Sequence, residues 1–339
     1  LAFLSICAFW QMYDNVIPLI LQNTFHLNET FTGAIMAADN ILAVFLLPFF
    51  GTLSDKANTR LGKRTPFIIT GTCVAVLFLM LLPFADKNQN FIMFVACLAV
   101  LLVAMGFYRS PAVALMPDLT PKPLRSKANA VINLMGAIGG VYTLLLIRFL
   151  VKGGARPDYI AVFTGVAFLM AAAVILLVLT VKEKKIAAEI EKEEIQEEEL
   201  AGEAIAENTK ELPKPVKKSL YMILLSIFFW FAAYNAVTTA FSRYAVKVWG
   251  LEGGGFADCL MVATVAAIFS YIPIGMISEK FGRKKCIQGG LLLLLISYLS
   301  AAFFPVYHPA INIGFILIGI GWASISVNSL PMVVEICSL

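Results

Sequence analysis

Inside otherwise apolar stretches stand a few side chains able to move a proton or hold a polar solute. They are Gln11, Asp14 and Asn15; Asp39 and Asn40; Arg109; Asn129, Asn133 and Arg148; Asn235 and Arg243; Asp258; and Asn328 and Glu335. An ionisable group among apolar residues is costly and marks a functional position by default. Burial disfavours the charged form of a carboxylate, so a carboxyl group that is alternately buried and wetted can take up and release a proton. That chemistry moves solutes and protons without making or breaking covalent bonds. Bond chemistry finds no support: His26 and His308 fall in separate loops, and there is no H-E-x-x-H, no G-x-x-x-x-G-K-[ST] and no serine nucleophile elbow. No catalytic residue, metal site or cofactor is therefore expected, and without a nucleotide motif any work must come from an ion gradient. The six cysteines lack metal-ligand spacing and read as small apolar fillers.

The elements that must position these groups follow from composition. With 60% hydrophobic and 14% charged residues in 339, the chain carries more apolar surface than one water-soluble core hides, so lipid is its solvent. Windows of about 20 apolar residues, the length that crosses the hydrocarbon layer, predict ten helices: 1–23, 32–52, 66–84, 91–116, 128–151, 159–181, 219–244, 256–277, 287–304 and 311–335. A span such as FTGVAFLMAAAVILLVLTV does not alternate in polarity, which excludes a β-barrel. The fold class is thus all-α integral membrane, and no nucleic-acid partner is expected. The loops after spans 2, 4 and 8 concentrate Lys and Arg, whereas those after spans 1, 3, 7 and 9 hold almost none beyond Lys87 and Lys247. The basic loops, both termini and the central linker are accordingly assigned to the cytoplasmic side of a cell membrane. The chain reads as truncated at both ends.

Residues 182–218 differ in kind, with 8 Lys and 11 Glu, half of all acidic residues in the chain. They read as a solvated linker between a first half (1–181) and a second (219–339), with a regulatory docking role as the alternative. The halves repeat: GMISEKFGRKK, with Gly275, Glu279, Lys280, Gly282 and Arg283, echoes Gly51, Asp55, Lys56, Gly62, Lys63 and Arg64 of the stretch GTLSDKANTRLGKRTPF. Arg60 belongs to the longer first copy. Two such parallel halves make a transporter architecture.

The pattern G-x-x-x-[DE]-[KR]-x-G-R-[KR]-[KR] resembles the loop signature of the major facilitator superfamily. PFFGTLSDKANTRLGKRTPFI is similar to the second loop of its glycoside-pentoside-hexuronide and sucrose/proton symporters. FYRSPAVALMPDLTPKPLRSKANAV, with Arg109, Asp118, Arg125 and Asn129, resembles the fourth loop of the sucrose branch. The resemblance covers essentially the whole chain and implies a major facilitator fold of two pseudo-symmetric halves, with ten of twelve helices present. Melibiose-type relatives carry two carboxylates ahead of Pro-x-x-Gly in the second helix; here Pro48 and Gly51 match while Ala43 and Leu47 stand at those positions. The resemblance thus implies proton rather than sodium coupling, and a sugar such as a disaccharide or glycoside as substrate for a protein acting as a monomer.

Depth in the spans ranks the candidates. Asp14 lies nine residues from Asn23, roughly 13 Å deep at ~1.5 Å per residue, with Gln11 on its face and Tyr13 and Trp10 offering flat surfaces for sugar rings. Asp39 reaches a similar depth, so Asp14 and Asp39 are the proton-coupling candidates. Asn40, Arg109, Asn133, Tyr142, Asn235 and Asn328 join Gln11, Tyr13 and Asp14 as substrate contacts; Arg109 either pairs with a carboxylate or snorkels outward. In the charged loops Asp55 and Glu279 sit at helix ends among basic residues, and with Asp118 and Arg125 they read as a latch between domain arrangements. The bland alternative is that the basic residues only fix topology. Gly136, Gly139 and Gly140 read as close-approach positions between helices. Transport of a lipid or drug-like solute, and a non-transporting sugar sensor signalling through the acidic segment, are the rival functions.

Overall fold

The computed structural model describes residues 1–121, 125–154, 156–190, 214–301 and 303–337. All regular structure among them is helical. The helices are α1 (Ala2–Asn23), α2 (Glu29–Asp55), α3 (Thr65–Lys87), α4 (Phe91–Asp118), α5 (Arg125–Leu150), α6 (Ile160–Thr180), α7 (Lys214–Lys247), α8 (Phe256–Phe281), α9 (Arg283–Ala301) and α10 (Ile311–Cys337). Nine are long and apolar enough to cross a membrane. The exception is α9, whose 19 residues begin with Arg283, Lys284 and Lys285.

Helix starts have local causes. Asn28 and Asn90 cap α2 and α4, their side chains accepting the backbone N–H of Phe31 at 2.9 Å and of Met93 at 3.0 Å, which satisfies donors left open in a first turn. The described part of α7 opens at Lys214, ahead of the predicted 219. The second charged loop is shorter than expected: α8 continues to Phe281, Gly282 alone turns the chain at φ +89°, and α9 starts at once. Glycine carries no Cβ penalty in that left-handed conformation.

The chain divides into two compact units, Leu1–Ala206 and Glu207–Leu339. In the first, α1 packs on α5 and α6, α3 on α4 and α6, and α2 chiefly on α4. In the second, α10 lies against both α8 and α9. The α1–α5 crossing is built from small residues: a Cβ on Gly139 would strike the Leu4 carbonyl, and Thr143 Oγ1 donates to the Ala8 carbonyl at 2.9 Å. Close approach of this kind drives helix association where lipid removes the hydrophobic incentive. It seats α1, and with it Asp14, against α5. Residues 183–190, within the expected linker, form a short helical stretch of the first unit, and 191–213 lie outside the described residues.

Candidate functional site

Three helices of the first unit line a small, partly open cleft, with Trp10 of α1, Asp39, Leu42, Ala43, Leu46 and Leu47 of α2, and Leu102, Gly106 and Arg109 of α4. The Arg109 guanidinium carbon stands 5.6 Å from the centre of the Trp10 ring, within cation–π range. Asp39 is close enough to Arg109 to interact with it electrostatically, and Asp14 is likewise within reach of Asp39. Arg109 therefore faces the cleft. Asn40 donates to Asp39 Oδ1 at 2.8 Å, orienting that carboxylate.

The aromatic wall of the cleft is braced from behind. Trp10 meets Phe9 and Tyr13 edge-on at 5.2 and 5.3 Å, and Phe9 and Tyr13 are fully buried. Around half-buried Asp14 several buried polar atoms lack a hydrogen-bond partner: Trp10 Nε1, Tyr13 Oη and Asn15 Oδ1. Asn15 spends its amide on the Gln11 carbonyl at 2.8 Å, which leaves its oxygen open. Buried polar atoms are nearly always satisfied, by protein, water or ligand.

Other predicted contacts are placed differently. Tyr142 Oη donates to the Gly165 carbonyl at 3.0 Å, so it ties α5 to α6 and does not line the cleft. Asn133 is half-buried on α5, and Gln11 faces Gly140. Asn129 and Arg125 have side chains outside the described residues. In the second unit, Asn235 donates to the Phe231 carbonyl at 2.9 Å, while fully buried Asn328 donates to the Ser324 carbonyl at 2.8 Å and keeps Oδ1 unpartnered. Next to Asn235 in sequence, the rings of Tyr234 and Trp322 meet at a tilt with centroids 4.3 Å apart, and Trp230 joins them.

At the ends of α2, α3 and α4 the charged loop is organised around one residue. Arg64, 6% exposed, pairs with Asp55 and with Asp118 (Nε to Oδ2, 2.8 Å), and also donates to Ser54 Oγ and the Gly51 carbonyl. Lys56, Arg60 and Lys63 are exposed. The spacing alone treated these four cations alike; burial separates them. In the second copy Glu279 and Lys280 are exposed on α8, and Gly275 and Gly282 face open space.

One residue of this region was not singled out from the sequence. Glu183, 4% exposed, reaches back across the start of α3. Its Oε1 accepts the amides of Lys63 (2.7 Å) and Arg64 (2.9 Å), and its Oε2 accepts the amide (2.8 Å) and hydroxyl (2.7 Å) of Thr65. The available signal was at α3, which begins Arg64-Thr65-Pro66 with no acidic residue in its first turn and no side-chain cap of its own.

Two units of long apolar helices, one carrying half-buried carboxylates beside a cleft, describe a polytopic membrane protein. The chain belongs to the Major Facilitator Superfamily, whose family model matches residues 1–338. Among known proteins it is similar to the sucrose transport protein SUC3 of Arabidopsis thaliana, 24% identical over 151 residues, 39% of this chain. That match spans a quarter of the plant protein's length. Its fold resembles the partially occluded inward-open xylose transporter XylE of E. coli, with TM-score 0.65, 14% identity, and coverage of 99% of this chain and 88% of the other. A crystal structure of a D-xylose-proton symporter matches with TM-score 0.62, 14% identity, and coverage of 98% and 85%.

Proposed function

We propose that this protein is a proton-coupled symporter of a sugar, a disaccharide or glycoside, in the sucrose-type branch of its superfamily. The observation that supports the reading is the cleft where Trp10, Asp39 and Arg109 stand together, with Asp14 within electrostatic reach of Asp39. A polyhydroxylated ring suits that set: its hydroxyls pair with Asp39 and Arg109, and its C–H face lies on the aromatic ring. The names of the relatives, a sucrose transport protein and a D-xylose-proton symporter, support the substrate class and the coupling ion.

In the proposed cycle Asp14 and Asp39 share the proton. Two carboxylates within electrostatic reach of each other resist being charged together, so one proton favours the occupied cleft and its loss favours release. Gln11, Tyr13 and Asn40 serve the same site, with Asn133 a further contact on α5, and Asn235 and Asn328 are kept as substrate contacts of the second unit considered by itself. Tyr142 drops out, since its hydroxyl is committed to Gly165. The loop residues around Arg64, Asp55 and Asp118, with Gly275, Glu279, Lys280, Gly282 and Arg283 in the second copy, act as the latch. Transport requires that sugar and proton each bind one arrangement better than the other. The basic loops and the segment 182–218 between the halves lie on the cytoplasmic face of the plasma membrane.

The test is sugar-induced proton uptake by the full chain in liposomes, screening disaccharides with a pH dye. External alkalinisation with one sugar, lost in Asp14→Asn or Asp39→Asn, supports symport. Sugar binding without proton movement in the unmutated protein defeats it.

A further inference from the structure

Glu183 stands three residues beyond the end of α6, at the head of the acidic segment. Its carboxylate nonetheless accepts four hydrogen bonds at the start of α3, all between 2.7 and 2.9 Å. A helix start exposes unpaired amides and a partial positive charge, and an anion there satisfies both. The seat is shaped for it. Gly62 turns at φ +120°, and a Cβ there would occupy the carboxylate's own position. The flanking Lys182, Lys184 and Lys185 are exposed, so the buried contact belongs to Glu183 alone.

The two amides that Oε1 accepts belong to Lys63 and Arg64, and Arg64 is the cation whose side chain gathers Asp55 and Asp118. Backbone and side chain of one residue thus serve two contacts. We infer that Glu183 is a positioning residue: a clasp that fixes the head of the acidic segment to α3 and, by holding the Arg64 backbone, keeps its guanidinium between the ends of α2 and α4. The helical stretch 183–190 at the head of the acidic segment is then fastened to the start of α3 through its opening turn. The gating half of this inference rests on the transport reading; the clasp itself does not.

The experiment uses the full chain in nanodiscs, comparing Glu183→Gln, which keeps the volume, and Glu183→Ala with Glu189→Gln, a change at an exposed neighbour. Hydrogen exchange of peptides covering 60–66 reports the clasp directly. Exchange faster by about tenfold or more is expected in both Glu183 variants, as befits loss of charge-assisted hydrogen bonds, with none in Glu189→Gln. Gly62→Ala should reproduce the effect, since its Cβ takes the carboxylate's place. Unchanged exchange in Glu183→Ala overturns the inference. For the gating half, turnover of folded protein is compared with substrate affinity: turnover should change at least about threefold, against an unchanged dissociation constant, when a gate and not the binding cleft is disturbed. Faster exchange with turnover intact overturns the gating half and leaves Glu183 a structural cap. Should no sugar be transported at all, the exchange result still decides the clasp.

Discussion

Replacing Arg64 by Gln removes the cation that holds three helix ends together, and its cost can be bounded from the contacts. Breaking a buried ion pair by removing one partner costs about 3–5 kcal/mol when the remaining charge stays buried. Here the guanidinium is buried but the acids are not: the side chains of Asp118 and Asp55 are 37% and 57% exposed. Water therefore takes over part of their solvation once Arg64 is gone, and the expected loss falls to about 2–3 kcal/mol. Changes at the acids should cost less, about 1 kcal/mol for Asp118→Asn and about 0.5 kcal/mol for the more exposed Asp55→Asn. Reversible unfolding of the full chain in mixed detergent micelles would measure all three. Ordering by exposure is the sharp part. If Asp55→Asn costs more than Asp118→Asn, or if Arg64→Gln costs less than either, the hub is not Arg64 and the reasoning fails.

Four further outcomes follow from the same contacts. Tyr142→Phe should cost about 1 kcal/mol through its hydrogen bond to Gly165 while leaving sugar affinity unchanged, which isothermal titration would check. Trp10→Ala should weaken sugar binding at least about tenfold, and Trp10→Phe distinctly less, since a smaller aromatic plane remains to meet Arg109. Gly139→Leu should prevent α1 from seating on α5 and cut folded yield, with a penalty of at least about 1–3 kcal/mol for overpacking; monodisperse yield after purification reads it. Arg109→Lys should reduce affinity even with charge retained, because an ammonium lacks the planar fork of the guanidinium that stands over the Trp10 ring.

How much of this was legible depends on the range of the interaction. The helices follow from apolar length alone, which is why each of the ten predicted spans falls on a helix among the described residues, nine of them long and apolar enough to cross a membrane. The grouping of Asp39 and Arg109 was accessible because ionisable groups in apolar runs have few places to go. Tyr142 shows the limit: its sequence neighbours do not reveal that the Gly165 carbonyl lies in front of its hydroxyl. Arg64 shows another, being one of four cations within nine positions, distinguished only once α2 and α4 bring two carboxylates to it. Glu183 was hidden among 11 glutamates of a segment whose composition says only that it is soluble. Its partner is an absence, the missing cap on α3, and absences become visible only when helix ends are placed.

The joint between α8 and α9 carries a different lesson. A single glycine at φ +89°, with its amide donating back to the Ser278 carbonyl at 2.9 Å, leaves no slack between those helices, whereas residues 56–64 separate α2 from α3 and are gathered by ions. One joint is kept short by its backbone geometry; the other is gathered by ions and, at its exposed Asp55 edge, weakens as ionic strength rises. Salt is therefore a reagent that loosens the longer joint of the first half, where reach across nine residues depends on charge.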